Sequence, residues 1–318
     1  MNLPAHPAEP PRRGAISLVL GSGGARGYAH VGVIEELRAH GYEIRSVAGS
    51  SMGALVGGVY AAGKLSEYRD WAVGLKTFDV LRLVDWSWRG GGLIKGQRVI
   101  GALRDLVGEM NIEDLPISYT AVAVDIDAQR EVWFSRGSLF DAIRASISIP
   151  TVFRPHHYQG RRLVDGGLLN PVPVTPTLRD LTDATIAVDV NAEAEGVAER
   201  ETPITRPEIH EPDEENRPTG LGRIGELWER FLENRSKRAS IHEPGVLDLF
   251  ARSLDVVQET LTRYKLAAQP PDLVISIPRN VCAFYEFQRA AEVIEIGRQR
   301  TREALARWQR IRRPQVWP

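Results

Sequence analysis

Twice in its N-terminal third the chain repeats one pattern: a short apolar run with β-branched residues, a turn of glycine and serine, then an amphipathic stretch. The first copy runs from residues 15–20 (AISLVL) through Gly21-Ser22-Gly23-Gly24-Ala25-Arg26-Gly27. It continues over residues 27–39, where Ala29, Val33, Ile34 and Leu37 recur at helical spacing. The second runs from residues 44–48 through Gly49-Ser50-Ser51-Met52-Gly53 into residues 54–63. A strand that feeds a helix through a tight turn is the repeating unit of a parallel sheet covered by helices. In such sheets the functional residues gather at the carboxyl ends of the strands.

The rest of the chain extends this reading. Ser66 is placed to cap a helix reaching residue 75, and residues 94–107 carry a helical pattern. Residues 119–125 and 131–135 read as strands, and residues 139–146 as a helix ended by Pro150. Residues 162–164 form a short strand running into Asp165-Gly166-Gly167, and residues 184–190 (ATIAVDV) a buried strand. After a helix at 245–266 come a strand at 273–277 and a last helix at 287–311. The expected fold class is α/β, a parallel-rich central sheet with helices on both faces in three layers. Four regions follow: a disordered tail at 1–14, a catalytic core at 15–190, a polar and partly disordered insertion at 191–244 with a helix at 221–232, and 245–318 as the C-terminal part of the core domain.

Composition narrows the function. The chain has 318 residues and a formal net charge of -1, so no bulk attraction draws it to nucleic acid. Cys282 is the single cysteine, which excludes an intramolecular disulfide and a cysteine-cluster metal site. No calcium loop is recognisable, and neither a metal nor a cofactor is expected. The longest uncharged run, residues 46–63, is too rich in Gly, Ser and Ala to span a membrane and has a turn at its centre. The expected location is the cytoplasm.

Gly49-Ser50-Ser51-Met52-Gly53 has the Gly-x-Ser-x-Gly form of a nucleophile elbow, in which a strained turn presents serine between strand and helix. The glycine-rich turn before it suits backbone N–H groups aimed at an anion, and the acidic residue a dinucleotide site needs is missing from the second strand. An activated serine beside an anion hole equips a chain for acyl transfer. The serine needs a base. Of seven histidines, none lies in the late strand-to-helix loop that a Ser–Asp–His order requires. Asp165 is then the candidate, since the glycines after it let its backbone approach another element. A Ser–His–Asp arrangement through His157 or His30 is the alternative. Arg26 either makes a structural salt bridge or meets a substrate phosphate. Trp86 and Trp88, in a flexible loop, fill a core or lid or touch lipid. The arginines of the last helix, with Trp308 and Trp317, form a solvated face or a surface for anionic lipid.

Together these motifs resemble the patatin-like phospholipases, in the bacterial branch similar to the catalytic domain of neuropathy target esterase. Smaller signatures agree: Gly92-Leu93-Ile94, Ala145-Ser146-Ile147-Ser148-Ile149-Pro150 with Phe153, and Asn170-Pro171-Val172-Pro173. The resemblance covers residues 15–190 strongly and 245–308 weakly. It implies a serine–aspartate dyad without histidine, with Ser51 as nucleophile and Asp165 as base. It also implies an oxyanion hole from the N–H groups around Gly23, Gly24, Ala25 and Arg26, with Gly21, Gly27, Gly49, Gly53, Gly166 and Gly167 shaping the backbone. The implied substrate is a lipid or other acyl ester, with peripheral contact at the inner membrane compatible with it. Ser22 departs from the family, which often has glycine there. A regulatory or lipid-binding protein with little turnover is the alternative outside catalysis.

Overall fold

The computed structural model describes residues 14–76, 78–80, 92–195 and 246–312. Residues 1–195 and 251–318 make one compact unit, and residues 196–250 separate as another. The tail, Trp86, Trp88, Trp317 and most of the polar stretch, including its helix at 221–232, lie outside the described residues.

The two repeated patterns form as their chemistry dictates. Strand β1 (Gly14–Leu20) leads through a 3-10 turn at Gly24–Tyr28 into helix α1 (Ala29–Ala39). Strand β2 (Tyr42–Ser50) leads through Ser51 into helix α2 (Met52–Ala61). The strands lie side by side and parallel, with Leu18 opposite Val47. A helix α3 (Leu65–Gly74) follows; Ser66 lies within it and donates to Glu67 rather than capping the end. The expected helix at 94–107 divides into a strand β3 (Gly92–Ile94) and a helix α4 (Gln97–Val107). Gly96 separates them with φ 75°, a left-handed conformation that no helix continues through.

The main sheet is mixed and mostly parallel, as expected, with four parallel pairings and three antiparallel ones. Strand β4 (Ser118–Asp125) extends the parallel part beyond β2, and β5 (Arg130–Phe134) returns against it. Helix α5 (Leu139–Ser146) precedes two short strands not legible in the sequence, β6 (Thr151–Phe153), which pairs with β3, and β7 (His156–Tyr158). Strand β8 (Arg161–Asp165) runs antiparallel to both β4 and β7. Strand β9 (Ala184–Ala192) pairs with β1 and continues past the expected end at 190, so Asn191 belongs to the sheet. Helix α6 (Val246–Ala268), strand β10 (Leu273–Pro278) and helix α7 (Ala290–Arg312) complete the fold. The sheet order is β10-β9-β1-β2-β4-β8-β7, with β5 off β4.

Strand alternation sorts the core. Ile16, Leu18 and Leu20 of β1 point into a large apolar cluster with residues of α1, α2, α5 and α7. Each such fully buried aliphatic side chain contributes about 2 kcal/mol. Val19 and Ala187 face the other way and meet Val172, Val174 and, from α6, Leu266. On α7, Arg298 pairs with Glu35 and Glu295, Arg300 with Glu195 and Glu303, and Arg302 with Glu36 and Glu295.

Candidate active site

The nucleophile elbow is held from two sides. Ser51 has φ 55° and ψ -123°, a conformation that costs a non-glycine residue about 1–3 kcal/mol. Its N–H donates to Ser146 Oγ at 2.9 Å, and that hydroxyl donates in turn to Val122 O at 2.6 Å. The glycines beside the serine let β1 and α2 touch: a Cβ on Gly53 would lie 2.0 Å from Leu20 O. One on Gly49 would lie 2.4 Å from the carbonyl carbon of Gly53.

Asp165 reaches the same point from the opposite direction. The last pair of β2 and β4 sets Ser50 opposite Val122, and β4 runs on to Asp125. Over that overhang its neighbour is β8, which sets Asp165 opposite Ala123. The convergence expected of parallel strand ends is therefore made by an antiparallel strand arriving level with the elbow. Asp165 Oδ2 accepts the Ser51 hydroxyl at 2.6 Å, and Oδ1 accepts the Gly167 N–H at 2.7 Å. Its own N–H donates to Ser148 O at 3.0 Å, so residues 146–148 hold the backbone of both Ser51 and Asp165. Burial raises the Asp165 carboxyl to about 7, against the smaller opposing pull of its two hydrogen bonds.

The glycine-rich loop passes beside the pair. Ser22 N–H donates to Pro171 O at 2.8 Å and Ala25 N–H to Phe284 O at 2.9 Å, while Arg26 N–H turns back to Gly23 O at 3.2 Å. Of the four residues expected to line an anion hole, Gly23 and Gly24 keep N–H groups without an acceptor among the described residues. Gly24 has φ 56°, and a Cβ there would lie 2.5 Å from Phe284 O. Met52 begins α2, so its N–H is also an orphan of the first turn. The positive end of that helix points at Ser51. Met52 is a functional candidate the sequence reading passed over, although the residue after an elbow serine is a known donor position.

Arg26 is buried and committed. It pairs with Asp255 of α6 at 3.1 Å, donates to Asn191 Oδ1 at 2.7 Å and to Cys282 O at 3.2 Å. A structural ion pair, rather than a substrate phosphate, occupies it. Among the described residues no histidine joins Ser51 and Asp165. His30 Nε2 lies 2.8 Å from Gly21 O, and burial holds its ring down to about 4. The neutral ring donates to that carbonyl and fixes the start of the loop. His156 lies 3.2 Å from Asp141, and His157 is exposed on β7 opposite Arg162. Among the described residues no group of three or more His, Cys, Asp or Glu is placed to hold a metal ion, and no helix is long and apolar enough to cross a membrane.

The chain is similar to known proteins along much of its length. A profile described as patatin-like phospholipase matches residues 18–178. An uncharacterised NTE family protein of Mycobacterium tuberculosis is 40% identical over 334 residues, 91% of each chain. Neuropathy target esterase sws of Drosophila melanogaster is 31% identical over 187 residues, 56% of this chain and 13% of that one. The crystal structure of VipD from Legionella pneumophila matches with TM-score 0.45 and 13% identity, over 93% of this chain and 67% of that one.

Proposed function

The chain belongs to the patatin-like phospholipase family, and from that premise we propose that it is a serine acyl hydrolase of lipid esters working through the dyad of Ser51 and Asp165. The observation that carries the reading is the 2.6 Å bond from Ser51 Oγ to Asp165 Oδ2. Asp165 is buried, and its carboxyl is raised to about 7, so near neutral pH it exchanges a proton readily with the serine hydroxyl.

Ser51 Oγ attacks the acyl carbonyl as Asp165 takes its proton. The carbonyl oxygen becomes an oxyanion, which the N–H groups of Gly23 and Gly24 receive with help from Met52 and the α2 N-terminus. As the tetrahedral intermediate collapses, Asp165 returns the proton to the departing alkoxide and the acyl-enzyme remains. Water, deprotonated by Asp165, then attacks the acyl carbon and releases the fatty acid and free Ser51. The oxyanion donors come from a loop whose other N–H groups are bonded, so they need little reorganisation as charge develops.

The test is turnover of p-nitrophenyl acyl esters and lysophospholipids by the wild type and Ser51→Ala. Hydrolysis by the wild type and its loss in the variant support the reading. A Ser51→Ala protein as active as the wild type refutes it, and a folded wild type inactive on every substrate favours a regulatory or lipid-binding role.

A further inference from the structure

Three buried polar side chains beside the dyad are oriented by a single starting donor. Arg26 has only hydrogens to give, so the atom of Asn191 that it meets at 2.7 Å must be the amide oxygen. The NH2 of Asn191 then donates to Ser22 O at 2.8 Å and to Gln258 Oε1 at 3.2 Å. Ser22 Oγ donates to the same Gln258 oxygen at 2.9 Å. With its oxygen taken twice, Gln258 has its NH2 turned the other way, toward Gly167. The position a Gly167 Cβ would occupy lies 2.6 Å from Gln258 Nε2, 2.8 Å from Ser22 Oγ and 3.0 Å from Asp165 Oδ1. Gln258 is buried, yet no acceptor among the described residues takes its two amide hydrogens.

We propose that Gln258 is a substrate-binding residue whose side-chain NH2 donates to the acyl ester's carbonyl oxygen as Ser51 attacks. It adds a donor from α6 to the backbone donors of Gly23 and Gly24. The proposal rests on the serine-hydrolase reading and gives Ser22 a task. Its hydroxyl holds the Gln258 carbonyl oxygen and fixes which end of the amide faces the dyad. Asn191 and Arg26 are positioning residues in the same chain of bonds, anchored by the ion pair to Asp255. Gln258 lies beyond residues 18–178, which the family profile matches.

The experiment is steady-state hydrolysis of a short-chain p-nitrophenyl ester by the wild type, Gln258→Met and Gln258→Glu, with a thermal melt of each. Gln258→Met keeps the length and loses the donors, and kcat should fall by about a hundredfold with KM little changed. Gln258→Glu should fall further, because a carboxylate repels the oxyanion. A folded Gln258→Met with wild-type kcat overturns the proposal, as does a loss confined to KM and melting temperature. If neither variant folds, the wild type labelled with 15N-glutamine decides. The Gln258 side-chain NH2 signals should move when a fluorophosphonate modifies Ser51, and unmoved signals overturn the proposal. A wild type that neither hydrolyses the ester nor labels on Ser51 overturns the serine-hydrolase reading, and this proposal with it.

Discussion

Holding Asp165 buried makes the site a cost to stability that varies with pH. Its carboxyl is raised from 3.8 to about 7, with burial the main cause. A carboxyl that binds its proton more tightly when folded leaves stability untouched below the unfolded pKa. As pH rises from there, the unfolded state ionises while the native state stays protonated, and stability is lost until pH passes the folded pKa. At about 1.4 kcal/mol per unit, the full loss above pH 7 is about 4 kcal/mol. Asp165→Asn removes this one titration and keeps the shape, so its stability relative to the wild type should depend on pH in the same window. The variant's advantage should grow by about 4 kcal/mol between pH 4 and pH 8, and most of the change should fall between about 4 and 7. Denaturant unfolding of both proteins at each pH measures it, since every other titrating group cancels in the difference. Over the same window the wild type's kcat/KM should rise as the base ionises, while Asp165→Asn stays inactive. A stability difference independent of pH, or a rate that falls from pH 6 to 8, would mean that Asp165 is not a buried carboxyl acting as the base.

Two further predictions follow from the geometry. His157→Ala should keep kcat/KM within about twofold of the wild type, where loss of a true triad histidine costs a thousandfold or more; hydrolysis of the same ester measures it. Gly53→Ala should destabilise the protein by about 3 kcal/mol or more, because the new methyl meets the Leu20 carbonyl at 2.0 Å between two elements that cannot part; the shift of the denaturant midpoint reads this directly.

What the sequence made legible was local. The elbow around Ser51 and the glycine turn before it are visible because strand, tight turn and helix each leave their mark within a few residues. The short strands at 151–158 leave too few residues for a period to show. The partnership of Ser51 with Asp165 depends on β4 outrunning β2 and on β8 running antiparallel, and register between distant strands has no local signature. Likewise, two of the loop's N–H groups, those of Ser22 and Ala25, are taken by the carbonyls of Pro171 and Phe284, far along the chain. Ser146 and Ser148 stood in a recognised motif, but only the fold shows that one side chain holds Ser51 and the other residue's carbonyl holds Asp165. Asp255 and Gln258 were hidden for a different reason: the pattern of a helix says which face is apolar, not what its polar residues will cover.

The central claim is that Ser51 is a nucleophile activated by Asp165. Reacting the protein with a fluorophosphonate at pH 8 and mapping the adduct by mass spectrometry tests it most directly. A single adduct on Ser51 is expected in the wild type, forming far more slowly in Asp165→Asn. An adduct on another serine, no adduct at all, or equal rates in the two proteins would contradict it.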